Sequence, residues 1–276
     1  MRGDRLVFVG GLHRSGTTPL ARVLAAHPEI SGLRGTGVAE DEGQHLQDVY
    51  PRIRAYGGMG RFANDPRAHL TAASPLVGTA NADRLIAAWS PYWDLDRRLL
   101  VEKSPANLIM GGFLQALFPG SALIVVVRHP AVVGLAMQKW NPALIARNGR
   151  RRTSFGGLLR HWVTAHALLR ADAPGLVRLH VLRYEDLVAD PAGQLAAVQA
   201  FLGLATPLDA SAVRGGMNAG YADRWAELGR GPVGRRRRVG WSRRYGAAVA
   251  QYGYDLSRIT EVAGPLDVAG LFGGRT

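Results

Sequence analysis

Gly11 and Gly16 are separated by Leu12-His13-Arg14-Ser15 and followed at once by Thr17 and Thr18. Glycines so placed let backbone N–H groups close on an anion, and a helix beginning just beyond adds the positive pole of its dipole. The phosphate-binding pattern G-x-x-x-x-G-K-[ST] is met at every fixed position except the lysine, where Thr17 stands. That lysine serves the β- and γ-phosphates beside Mg²⁺. Its absence, with no apolar strand ending in a clear Walker-B aspartate, argues against hydrolysis of ATP or GTP. It points to an anionic ligand with a different terminal group. Arg14 supplies a cation earlier in the loop, and Ser15, Thr17 and Thr18 supply hydroxyls. Pro19 suits a first helical turn, where its missing N–H is no loss.

Two more cations follow apolar runs. Arg128 ends "ALIVVVR" and leads into His129-Pro130, and an arginine there is a natural bidentate clamp for phosphate. Lys103 lies in "VEKSPANL" and reaches the sheet's carboxyl edge as a second cation, or else forms a solvated pair with Glu102 at a strand end. The acidic stretch "GVAEDEGQHLQDVYP" offers Glu40, Asp41, Glu42 and His45. Glu42 and His45 are three apart, so on a helical turn they share a face as a hydrogen-bonded pair, or else the stretch caps a helix.

The elements that must position these groups are legible. Arg5–Gly10, Arg98–Glu102, Ala122–Arg128 and Arg178–Tyr184 read as buried strands, and "ALIVVVR", apolar on both faces, reads as a central one. Helical patterns follow the glycine loop, span "NLIMGGFLQALF", and span "FGGLLRHWVTAHALLRADAP" up to Pro174-Gly175. Alternating strands and helices predict right-handed crossovers, a central, mostly parallel sheet between helix layers, and ligands at the carboxyl ends of the strands.

The 276 residues, 47% of them hydrophobic, are read as one α/β domain spanning 1–276. There are no cysteines, which excludes disulfides and thiolate metal sites. No apolar stretch has the length of a membrane span, and the opening "MRGDRLVFVGG" reads as a first strand and not as a signal peptide, which suits a cytoplasmic protein. The net charge of +13 reflects either an arginine-rich composition or affinity for a polyanion, and its densest segment is "GRRRRVGWSRRYG", Gly234–Gly246.

Taken in order, these segments resemble the sulfotransferases that use 3′-phosphoadenosine 5′-phosphosulfate (PAPS). "HRSGTT", His13 to Thr18, is similar to the family's 5′-phosphosulfate loop, and "VVVRHP", with Arg128, to its 3′-phosphate motif. "VLRYEDLVADP" is similar to the segment whose tyrosine, here Tyr184, lies near the adenine. "VGWSRRYG" resembles the late basic segment that returns to the 3′-phosphate. "EDEGQHLQ" and "WSPYWDL" resemble bacterial members acting on glycolipids and natural products. The resemblance implies a P-loop-like three-layer αβα fold and transfer of a sulfuryl group from PAPS to a hydroxyl of a small-molecule, glycolipid or natural-product acceptor. It implies 3′,5′-ADP as product, no metal, no nucleic-acid partner and no stable membrane insertion. Lys103 and Arg14 would steady the leaving oxygen, and Glu42, with His45 second, would be the base. One departure stands out: Ala136 occupies the place, eight residues after Arg128, where the family usually has serine. The lost hydroxyl would be made good by the Arg235–Arg238 cluster, Arg238 included, or by Arg243. Acceptor-cleft walls are expected at Ala55–Pro66 and Ala146–Phe155, while Trp89, Tyr92 and Trp93 either stack on the acceptor or belong to the core. The competing readings are a P-loop-type small-molecule kinase using ATP-Mg²⁺ and a nucleic-acid binder using the basic segment.

Overall fold

The computed structural model describes residues 1–140, 153–215 and 218–273. Its sheet has five strands: β1 (Leu6–Gly10), β2 (Ile30–Gly32), β3 (Leu99–Lys103), β4 (Ala122–Val127) and β5 (Leu179–Arg183). They lie in the order β2-β3-β1-β4-β5, and every pairing is parallel. Four strands fall where the apolar runs predicted them. β2 went unseen because three residues are too few to show a period.

Parallel strands need covering on both faces, and alternation along each strand provides for it. Leu6, Phe8, Leu100, Leu123 and Val125 enter one apolar cluster, which is completed by Trp89, Phe113, Leu159 and Trp162. Val7, Val9, Val101, Ile124 and Val126 enter the other, with Leu20, Leu24, Leu195 and Val198. The helices carrying the first set are α2 (Thr79–Trp89), α3 (Gly111–Leu117) and α5 (Phe155–Asp172). Those carrying the second are α1 (Thr17–Ala26) and α7 (Pro191–Leu202). The result is the three-layer αβα arrangement that the pattern predicted.

Two helical expectations need correction. The run Asn107–Phe118 is not one helix: a 3₁₀ turn, Pro105–Ile109, breaks at Met110 before α3 begins. The break has a reason, since the Asn107 carboxamide is committed to the strand ends, donating to Val9 O and Glu102 Oε2. The basic segment, which was given no helical pattern, forms part of a 20-residue helix, α9 (Gly231–Ala250). α4 (Pro130–Trp140) begins at Pro130, α6 (Tyr184–Ala189) starts directly from β5, and α8 (Ala222–Leu228) precedes α9.

The chain leaves β1 toward the β2 edge, returns beside it as β3, and continues on its other side as β4 and β5. The loop after β1 therefore sits at the point where strand order reverses, with Lys103 in register beside Val9.

Candidate active site at the carboxyl ends of β1 and β3

The loop after β1 turns sharply. Gly11 and Gly16 have φ of 151° and 107°, and a Cβ on Gly16 would lie 2.5 Å from the Tyr184 ring. Arg14 also has positive φ, 72°, a conformation that for a non-glycine residue costs about 1–3 kcal/mol. Its carbonyl accepts from Arg128 Nη1 at 2.8 Å, and its guanidinium carbon lies 4.7 Å from the centre of the Trp140 ring. His13 Nδ1, Arg14 Nε and Ser15 Oγ are buried with no hydrogen-bond partner among the described residues. Arg14 Nε can only donate. Orphaned donors around a glycine-rich turn at the head of a ten-residue helix fit a phosphate or sulfate group. Burial, then the positive charges of Lys103, His45 and Arg14, pushes the His13 pKa down to about 3, so the ring is neutral at pH 7.

On the β3 side Glu42, His45 and Lys103 come together. Glu42 Oε1 accepts from Lys103 Nζ at 3.1 Å, both groups being buried, and Glu42 Oε2 accepts from Gln44 Nε2 at 2.6 Å. His45 Nε2 lies 3.6 Å from Glu42 Oε2. The shared face is present, on a 3₁₀ turn, Gly43–His45, but the contact is an ion-pair distance and not the expected hydrogen bond. Burial, followed by Arg52 and Lys103, lowers the His45 pKa against an upward pull from Glu42.

Glu102 does not pair with Lys103 in solvent. Neighbours on a strand point to opposite faces. Glu102 accepts from Gly43 N at 2.9 Å, Ser104 Oγ at 2.5 Å and Asn107 Nδ2 at 2.6 Å, while Ser104 Oγ accepts from Gln44 N at 3.0 Å. Trp89 Nε1 closes the turn by donating to Gly43 O. Burial raises the Glu102 pKa, against the pull of the Ser104 and Asn107 bonds. Glu102, Ser104 and Asn107 thus grip the backbone just after Glu42. Sequence reasoning missed this, although all three lie in the "VEKSPANL" segment it had singled out.

On the β4 side Arg128 is buried, and Asn218 Oδ1 accepts from its Nε and Nη2 at 3.0 and 2.6 Å. Its guanidinium lies 4.1 Å over the Tyr184 ring, and burial lowers its pKa. Asn218 Nδ2 donates to Glu185 Oε1, which also accepts from His129 N, while Glu185 Oε2 accepts from Tyr254 OH. The late arginines do not join this group. Arg238 lies over the Trp225 ring at 4.8 Å, and Arg243 is exposed. Both stand on α9, whose buried residues Tyr245 and Val249 face the core. Ala136 is buried in α4 and offers no hydroxyl. Asn218, with no motif around it, was not foreseen.

Of the three aromatic candidates, Trp89 and Trp93 are core residues, donating from Nε1 to Gly43 O and Val101 O, and Tyr92 is half-buried. Among the described residues no cluster of His, Asp or Glu could hold a metal ion, and no helix is long and apolar enough to cross a membrane.

A model of the sulfotransferase family matches residues 7–207. Protein-tyrosine sulfotransferase 2 of Gallus gallus is 26% identical over 203 residues, 72% of this chain and 51% of that protein. The omega-hydroxy-beta-dihydromenaquinone-9 sulfotransferase Stf3 of Mycobacterium tuberculosis is 32% identical over 114 residues, 39% of this chain and 29% of that one. The chain thus spans about half or less of the length of these curated relatives. Among solved structures, a sulfotransferase from Alicyclobacillus acidocaldarius aligns with a TM-score of 0.51 at 17% identity, covering 88% of this chain and 93% of its own, a likeness of fold.

Proposed function

The chain belongs to the sulfotransferase family, and we propose that it transfers the sulfuryl group of PAPS to a hydroxyl of a small-molecule, glycolipid or natural-product acceptor. The observation that carries this reading is the contact of Glu42 with Lys103 at the mouth of an anion-binding loop whose Arg14 Nε and Ser15 Oγ have no partner. A proton acceptor and a cation meet there, beside the place where a sulfated phosphate fits. Two relatives support the acceptor class, since a tyrosine and an omega-hydroxy quinone both present an O–H.

In this reading the bound donor supplies the sulfuryl group and a nucleotide leaving group. The loop N–H groups and the hydroxyls of Ser15, Thr17 and Thr18 hold its 5′-phosphate. Arg14 and Lys103 offset negative charge on the bridging oxygen as it departs. Glu42 takes the acceptor's proton, and His45, neutral because its pKa is lowered, is the second candidate for that step. Arg128 binds the 3′-phosphate, with Tyr184 between it and Gly16 as a surface for the adenine. Thr17 in place of the lysine suits a ligand that needs no metal bridge.

A thermal-shift comparison tests the donor. 3′,5′-ADP should stabilise the fold without metal, by about 2.7 kcal/mol at a hundredfold excess over Kd. Stabilisation only by ATP with Mg²⁺ would transfer the assignment to a kinase, and stabilisation only by a DNA duplex to a nucleic-acid binder.

A further inference from the structure

The two segments marked in the sequence as cleft walls meet, as far as they are described; residues 146–152 lie outside the described part. Residues of 56–67 on one side and 153–160 on the other line an open cavity of about 650 Å³. Arg61 Nε donates to Thr153 Oγ1 at 2.5 Å and ties the walls together. The lining carries three guanidinium groups, on Arg61, Arg67 and Arg160, against one carboxylate, on Asp65. Arg67 already engages that carboxylate through Nε and Nη2, at 3.0 and 2.6 Å. Arg160 is exposed and forms no ion pair or hydrogen bond among the described residues. The far wall is the first turn of α5, an 18-residue helix capped by Ser154, so the positive pole of its dipole adds to the arginines.

Two short bridges join the cavity to the candidate active site. Arg52, whose charge lowers the His45 pKa, immediately precedes the 3₁₀ turn Ile53–Tyr56, and Tyr56 lines the cavity. A four-residue turn of this kind spans about 8 Å. On the other path Phe62, next to Arg61, meets the His13 ring edge-on at 6.2 Å, and His13 belongs to the phosphate loop.

We propose that this cavity anchors the acceptor and selects one that carries an anionic group, a phosphate monoester or a carboxylate, set apart from the hydroxyl that is sulfated by at least the length of the Ile53–Tyr56 turn. The proposal rests on the sulfuryl-transfer reading for the identity of the ligand but not for the existence of the site. An acceptor reaching from His45 past the Ile53–Tyr56 turn puts its far end among the arginines. A neutral far end would leave Arg160 and the helix pole unanswered.

The test is calorimetry with phenyl phosphate, benzoate and the neutral phenyl glucoside, on protein saturated with 3′,5′-ADP. Both anions should bind at least tenfold more tightly than the glucoside, and the tighter of the two identifies the anionic group. Arg160→Ala should weaken the anions about tenfold, Arg160→Lys should restore part of the loss, and neither should alter 3′,5′-ADP affinity. Equal binding of anions and glucoside, or anion binding indifferent to Arg160→Ala, overturns the proposal. Inorganic phosphate binding as tightly as phenyl phosphate also overturns it, because the cavity is then a bare anion site. If 3′,5′-ADP itself fails to bind, the donor reading falls, while the same titrations on the free protein still decide the cavity.

Discussion

On the β3 side of β1, Glu42 accepts from Lys103, and the turn behind Glu42 is held by a buried carboxylate, Glu102, that takes Gly43 N, Ser104 Oγ and Asn107 Nδ2 together. On the β4 side, Arg128 is held by a single carboxamide, Asn218, from a segment far along the chain, and by the Arg14 carbonyl. The first side is preorganised: backbone and buried side chains set the Glu42–Lys103 pair without any ligand, as the proposed in-line transfer would require. The second side presents a clamp whose donors rest on neutral oxygens. A phosphate offers those donors a charged partner and stronger bonds. The proposed function accordingly puts its chemistry on the preorganised side and its nucleotide recognition on the exchangeable one.

That contrast is most exposed at Glu42. Glu42→Gln should lower kcat by on the order of 10²- to 10⁴-fold while leaving 3′,5′-ADP binding intact, because the amide cannot take the acceptor's proton. Single-turnover rates for this variant beside His45→Ala tell base from neighbour. A larger loss in His45→Ala reverses the two roles, and no loss in either removes the chemistry from the β3 side.

Next in size is Arg128→Ala, which should weaken 3′,5′-ADP binding by about 1.5–3 kcal/mol in calorimetry without unfolding the protein. Asn218→Ala should cost less in the same titration, since it removes a holder of the clamp and not the clamp. Equal losses would mean that the β4 side is as preorganised as the β3 side. Glu102→Gln should cost about 1–3 kcal/mol in urea unfolding, because the new amide faces three donors with one acceptor oxygen. It should also lower kcat, by loosening Gly43 and Gln44 behind Glu42. A stable variant with normal kcat would show that the grip on this turn is dispensable.

A last effect is spread through the interior and shows itself only as the pH is lowered. Burial holds His161 near a pKa of about 3 and His166 near about 4, and His13, as above, near about 3. All three folded values lie below the unfolded value of about 6.5, so the unfolded chain binds more protons between them. Their contribution is complete above pH of about 6.5, falls as the pH drops toward their folded values, and levels off below these. Melting temperature followed from pH 8 to pH 4 should fall steadily below about 6.5. A flat profile would mean that these rings take up protons in the fold as readily as in the unfolded chain.

How much was legible follows from how each residue acts. β1, β3, β4 and β5 were readable because long apolar runs can only be buried strands or helices, and their length and flanks decided between the two. The glycine loop was readable because Gly11 and Gly16 are required by backbone geometry, which is local. Glu42, His45 and Lys103 were picked out by residue type, but the contact of Glu42 with Lys103 was not readable, because it depends on how the Gly43–His45 turn packs beside β3. Asn218 was hidden: one asparagine in a glycine-rich stretch carries no period and no motif. The place of Arg238 and Arg243 was hidden for the opposite reason, since a dense basic run advertises charge but not direction.

The sequence by itself determined a parallel sheet with helices on both faces, a glycine-rich turn after its first strand, and cations at the ends of two others. Those features rest on burial, period and glycine, which act over a few residues. Only the tertiary structure decided who touches whom at the site. Glu102 turned away from Lys103 because pleating sends neighbours to opposite faces, Asn218 reached Arg128 across 90 residues, and α9 carried Arg238 to Trp225. Contacts of that length depend on how whole elements pack, and no local run of side chains encodes them.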